Sequence, residues 1–198
     1  LKNNNPELSL FGELPADSQV KTKEEKYDSL KTVEHEYHLV DTEEGIDKLY
    51  DFLRTKEILS LDTETTSTSP IDAELVGLSF SVSKRQAFYV PIPAKYEEAI
   101  KITNKFKSLY EDATIVKVGQ NIKYDYEVLR KYDIELQGPM FDTMLAHYLI
   151  NPELQHNMDY MAETLLYYRT IHIEELIGPK GKGQKNMRDL DPKDVYEY

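Results

Sequence analysis

The chain contains no cysteine among its 198 residues. That removes disulfides and thiolate zinc sites and fits a reducing cytoplasm. No apolar run reaches the length of a membrane span, so no membrane partner is expected. The five histidines, at 35, 38, 147, 156 and 172, form no helical His-x-x-x-His zinc pair, and His147 reads as a packed core residue. The single basic stretch, Lys180, Lys182, Lys185 and Arg188, lacks the Gly-x-x-x-x-Gly-Lys-Ser/Thr order of a nucleotide P-loop. It reads first as a solvated loop and second as a phosphate-facing one. There is no initiator methionine, and Leu1-Lys2-Asn3-Asn4-Asn5 has no basic-then-apolar leader pattern, so the chain is expected to be a piece of a longer protein. Positive charge is also scarce: 24 Lys and Arg against 36 Asp and Glu leave a net charge of −12. Non-specific nucleic-acid binders attach through Lys and Arg, so this domain is expected to hold a polyanion poorly by itself. Two routes to one remain, metal ions bridging carboxylates to phosphate or a basic grip from a neighbouring domain.

What is present is more specific. Asp62-Thr63-Glu64 follows the apolar strand signal Ile58-Leu59-Ser60-Leu61. Two carboxylates one residue apart on a strand point to the same side, and each raises the other's pKa. Such a pair suits a hard divalent cation, although two solvated acids at a strand end would have the same spelling. The tract Thr65 to Ser69 suits a loop lining a cleft. Downstream, Gly119-Gln120-Asn121-Ile122-Lys123-Tyr124-Asp125 starts a predicted helix just after a strand. There Asn121 and Asp125 share a face, and the helix start is suited to phosphate. The bland alternative is an exposed amphipathic helix with Val128 and Leu129 turned inward. Asp142 reads as a helix N-cap and Asp133 as a turn residue. Tyr37 and Asp41 have a Tyr-x-x-x-Asp spacing but belong to a first strand and its exit.

The length suits one domain plus an appendage. Residues 1–35 are polar and charge-rich and read as a linker from a preceding domain, with an apolar island at Leu8, Leu10, Phe11 and Leu14. From residue 36 to 198 the pattern is globular. It predicts a strand at Tyr37–Val40, a helix capped by Thr42, the acid-bearing strand at 58–62 and a hairpin from Leu75 to Val90 turning at 83–86. A helix through Phe106, a strand at 115–118 and a mostly helical remainder follow. Antiparallel strands followed by alternating strands and helices indicate an α/β fold, a mixed sheet flanked by helices.

Four segments in order, Leu61-Asp62-Thr63-Glu64-Thr65, Leu75-Val76-Gly77-Leu78-Ser79-Phe80, Lys117 to Asp125 and Phe141-Asp142-Thr143-Met144-Leu145, resemble the 3′–5′ proofreading exonuclease domain of bacterial family A DNA polymerases. These are DEDD-type enzymes with a tyrosine in the third motif and a ribonuclease H-like fold. The resemblance covers residues 36–198 and implies a bacterial, cytoplasmic protein with the polymerase domain in the same parent chain. It implies two Mg²⁺ or Mn²⁺ ions and a single-stranded DNA 3′ end as substrate. Asp62 would bridge both ions, Glu64 would bind the first and orient the attacking water, and Asp125 would hold the second through water. Thr65, Gln120, Asn121 and Tyr124 would contact the terminal nucleotides, and Tyr198 would position the water. The final aspartate of the third motif would fall four residues after Tyr198, so the domain is expected to be truncated and short of one metal ligand. Thr68 or Ser69 stands near the place of an apolar wedge, and Ile173 where an aromatic contact can occur. Two alternatives carry similar residues: a non-catalytic exonuclease-like brace of a family A polymerase, and a ribonuclease D-like RNA exonuclease.

Overall fold

The computed structural model describes residues 27–198. The apolar island at Leu8–Leu14 and most of the expected linker therefore lie outside the described residues. In chain order the elements begin with Asp28–Ser29 (β1), Glu36–Leu39 (β2), Glu43–Leu53 (α1), Ile58–Thr65 (β3), Leu75–Ser83 (β4), Gln86–Pro91 (β5) and Tyr96–Glu111 (α2). They continue with Val116–Gly119 (β6), Ile122–Arg130 (α3), Met140–Asp142 (β7), Thr143–Ile150 (α4), Met158–Leu166 (α5), Tyr168–Arg169 (β8), Ile173–Ile177 (α6) and Pro192–Val195 (α7). A 3₁₀ turn covers Met187–Asp189. Among the described residues no helix is long and apolar enough to cross a membrane.

Six strands form one mixed sheet in the order β2-β5-β4-β3-β6-β7. The hairpin forms as expected, with Arg85 in the left-handed region at its turn. β2, however, pairs parallel to β5. The chain reverses direction twice through β3, β4 and β5, so β5 and β2 run the same way. Thr42 caps α1, its Oγ1 accepting from the Gly45 N–H at 3.1 Å. The two-residue pair β1–β8 was not legible from the sequence, since strands this short carry no period.

Alternation along β3 separates two environments. Leu59, Leu61 and Thr63 are buried toward the main core, where β4, α1, α2 and α3 contribute Phe80, Leu53, Phe106 and Leu129. Asp62 and Glu64 fall on the opposite face. That face is covered by a second, smaller cluster in which Val76 and Tyr89 pack with Met187 and Val195, joined by Ile173 and Ile177 of α6. The acidic pair thus opens between the sheet and the C-terminal segment.

Candidate active site

β3 places the acids by strand geometry alone, and its neighbours make room for them. Glu64 lies opposite Gly77 of β4. A Cβ on Gly77 would come within 2.2 Å of the Tyr89 ring, so the glycine lets that ring lie flat against the strand partnered by Glu64. β6 pairs with β3 only as far as Ser60, which would leave the Thr63 N–H without a strand partner. Asp125 fills the gap. Its Oδ1 accepts from the Thr63 N–H at 2.9 Å and the Thr63 hydroxyl at 2.6 Å. Asp125 is 2 % exposed, so α3 is not the freely solvated amphipathic helix of the bland alternative. The structure brings Asp62, Glu64 and Asp125 together, two from one face of β3 and one from its open edge.

The electrostatics confirm the crowding. Burial, then the charges of Asp125 and Glu64, hold the Asp62 carboxyl well above its usual range. Burial and then Asp125 push Glu64 up to about 7. Burial raises Asp125 to about 6, against the lowering effect of the Thr63 hydrogen bonds. Three acids this mutually unfavourable cannot all ionise cheaply without a counter-charge.

Tyr198 reaches the same field. It is 44 % exposed, yet burial of its hydroxyl and then Glu64 raise its pKa. Tyr124 and Thr65 share a hydrogen bond, and the Tyr124 hydroxyl donates to the Ser67 carbonyl. Asn121 takes the left-handed region at φ 58°, which asparagine tolerates. Glu64, Thr65, Asn121 and Tyr124 line one cleft of about 510 Å³, closed on its far side by α6 and residues 184–187. A larger hollow of about 880 Å³ lies at the other end of the sheet, between residues 30–36 and 83–86, away from the acids.

Other expected contacts are spent internally. The Gln120 side chain accepts from the Thr143 hydroxyl and donates to the His156 carbonyl at 2.7 Å. The N–H groups of Asn121 and Ile122, expected to face phosphate, donate to Asp142 at 3.1 and 3.0 Å. Asp142 also caps α4 through the Met144 and Leu145 N–H groups. His147 is buried as expected, its Nδ1 2.8 Å from that of His156. Arg188 departs from the solvated-loop expectation. Its guanidinium donates to the carbonyls of Ile92 and Leu75, and its buried Nε has no partner. Nothing in local spacing marks Thr63, Tyr89 or Arg188, whose partners are distant in the chain.

The donor chemistry fits a hard divalent cation, being all oxygen and desolvated with raised pKa values. The side chains do not close into a cage, and among the described residues no group of three or more His, Asp or Glu is arranged to hold an ion. Asp125 has its Oδ1 committed to Thr63.

A mixed sheet flanked by helices, with paired acids on an inner strand, belongs to the ribonuclease H-like fold. Solved structures agree on the fold: Brucella melitensis NrnC with bound Mg²⁺ is 18 % identical, with TM-score 0.58 over 83 % of this chain and 73 % of that one. Escherichia coli RNase D is 17 % identical, with TM-score 0.57 over 77 % and 39 %. The 3′–5′ exonuclease family model matches residues 37–191, and the chain belongs to that family, in the form found as the exonuclease domain of DNA polymerase I. DNA polymerase I of Borreliella burgdorferi is 33 % identical over 182 residues, covering 89 % of this chain and 19 % of the relative. That of Pseudomonas aeruginosa is 35 % identical over 163 residues, covering 78 % and 18 %. The chain spans under a fifth of the length of these curated relatives.

Proposed function

We propose that this domain removes 3′-terminal nucleotides by hydrolysis from single-stranded or frayed DNA, as the proofreading activity of a polymerase in the same parent chain. The observation that carries this is the clustering of Asp62, Glu64 and Asp125, of which Glu64 lines a cleft shared with Asn121 and Tyr124. Asp62 and Glu64 would hold divalent cations, Mg²⁺ or Mn²⁺. Asp125, with one oxygen committed to Thr63, would support them. When bound, the ions supply charge neutralisation of the phosphodiester and activation of a water. Tyr198, whose hydroxyl feels the Glu64 charge, would orient the attacking water. Thr65 and Tyr124 hold the terminal sugar and base, and the cleft admits an unstacked end, which a mismatched primer yields more readily than a paired one. The products are 5′-mononucleotides.

The test is digestion of a 5′-labelled single strand by the protein in Mg²⁺. Stepwise shortening from the 3′ end, abolished by Asp62→Ala, is expected. Equal digestion by the Asp62→Ala protein would refute the assignment. The fold shared with RNase D supports RNA as a second substrate, and matched DNA and RNA strands in the same assay separate the two.

A further inference from the structure

The basic stretch, which reads first as a solvated loop and second as a phosphate-facing one, is neither loose nor remote. Residues 178–185 are tied to themselves: the Lys185 N–H donates to the Ile177 carbonyl at 2.8 Å, and the Gln184 side chain donates to the Gly178 carbonyl at 3.1 Å. Gly178 and Gly181 have positive φ with open space where a Cβ would stand, so the glycines serve the turn and not a close packing contact. Two further anchors fasten the loop's end to the catalytic sheet. The Asn186 side chain donates to the Thr66 carbonyl at 2.8 Å, just past β3, and Arg188 clamps the carbonyls of Leu75 and Ile92. The result sets Lys185 on the wall of the cleft that contains Glu64 and Tyr124.

The chain carries a net charge of −12. Some surface lysines pair with acids, as Lys48 does with Glu44, Lys95 with Glu98 and Lys105 with Asp47, and others, such as Lys84, Lys101 and Lys123, do not. Lys180, Lys182 and Lys185 are exposed, and none of the three forms an ion pair among the described residues. Lys185 on the cleft wall, with Lys180 and Lys182 in the same short loop, is a complement for a chain of phosphates.

We propose that the Gly178–Lys185 loop, riveted by Asn186 and Arg188, is a phosphate-gripping wall that holds the backbone of single-stranded DNA as it enters the cleft. This rests on the nuclease function proposed above and locates within the domain a grip that its net charge argues against. Lysines act here as point charges on phosphate and carry no base preference. Arg188 is a positioning residue that sets the loop against the sheet.

The test measures binding of a fluorescent dT12 strand to the full 198-residue chain by anisotropy, in Ca²⁺, across a salt series. The triple variant Lys180→Gln, Lys182→Gln, Lys185→Gln should lose about 2 from the slope of log affinity against log salt, at about 0.7 per phosphate contact. Its deficit relative to the unmodified chain should therefore shrink roughly 100-fold between about 50 and 500 mM salt. A mixed-sequence strand and rU12 should show the same change. An effect confined to one base sequence would overturn the phosphate wall, as would an unchanged slope in a chain that binds. If the unmodified chain neither binds nor digests these strands, the nuclease function and the wall fall together. Arg188→Gln should speed tryptic cleavage at Lys180, Lys182 and Lys185, and unchanged cleavage would remove Arg188 from the account.

Discussion

Replacing Glu64 with glutamine should stabilise the metal-free protein at alkaline pH while destroying its proposed chemistry. Glu64 has an ordinary pKa of 4.5 that rises to about 7 in the folded chain, through burial and then Asp125. Between those values the folded state binds more protons than the unfolded one, so stability falls as pH rises. The contribution is whole below about pH 4.5 and lost as pH passes about 7. A rise of about 2.5 units at about 1.4 kcal/mol per unit is roughly 3 kcal/mol. Because Asp62 and Asp125 titrate in the same cluster, about 2–3 kcal/mol is the expected share of Glu64 alone. Glutamine is isosteric and never ionises, so Glu64→Gln escapes this loss. In EDTA at pH 8 its unfolding free energy in urea should exceed that of the unmodified chain by this amount, with a Tm gain of roughly 5–10 °C. At pH 4 the two should unfold together. A Glu64→Gln protein that melts at or below the unmodified chain at pH 8 would refute the claim that Glu64 is held against its own charge.

Gly77→Ala should destabilise by about 1–3 kcal/mol, because the new methyl meets the Tyr89 ring. Adding Tyr89→Ala should make the glycine substitution nearly neutral in urea unfolding, and additive losses would contradict the packing. Asp142→Ala should cost about 2–4 kcal/mol by urea unfolding, since one carboxylate serves the starts of both α3 and α4. It should also weaken DNA binding through Asn121, and a loss under about 0.5 kcal/mol would show the caps to be dispensable.

The elements bearing strong periodic or punctuated signals were readable in advance. The Ile58–Leu61 run put Asp62 and Glu64 on one face of β3, and the apolar spacing around Ile46 and Leu49 marked α1. Asp142 was legible as a cap because capping is local, but its second duty at Asn121 and Ile122 links residues about twenty positions apart and leaves no spacing to read. The same holds for Arg188. In sequence it belongs to a lysine cluster, and only the fold brings it onto sheet carbonyls about a hundred residues away. Asp125 was recognised through its resemblance to a motif, whereas its commitment to Thr63 follows from where β6 stops pairing with β3. Residues that act through near neighbours were visible, and those that act across the sheet were not.

The central claim is that Asp62 and Glu64, with Asp125 beside them, form the seat of divalent cations in the cleft. Crystals of the 198-residue chain soaked in Mn²⁺ and measured at the manganese absorption edge test it directly. Anomalous density touching the carboxylates of both Asp62 and Glu64 is the predicted result. Ordered side chains at 62 and 64 with saturating Mn²⁺ and no peak between them would contradict it.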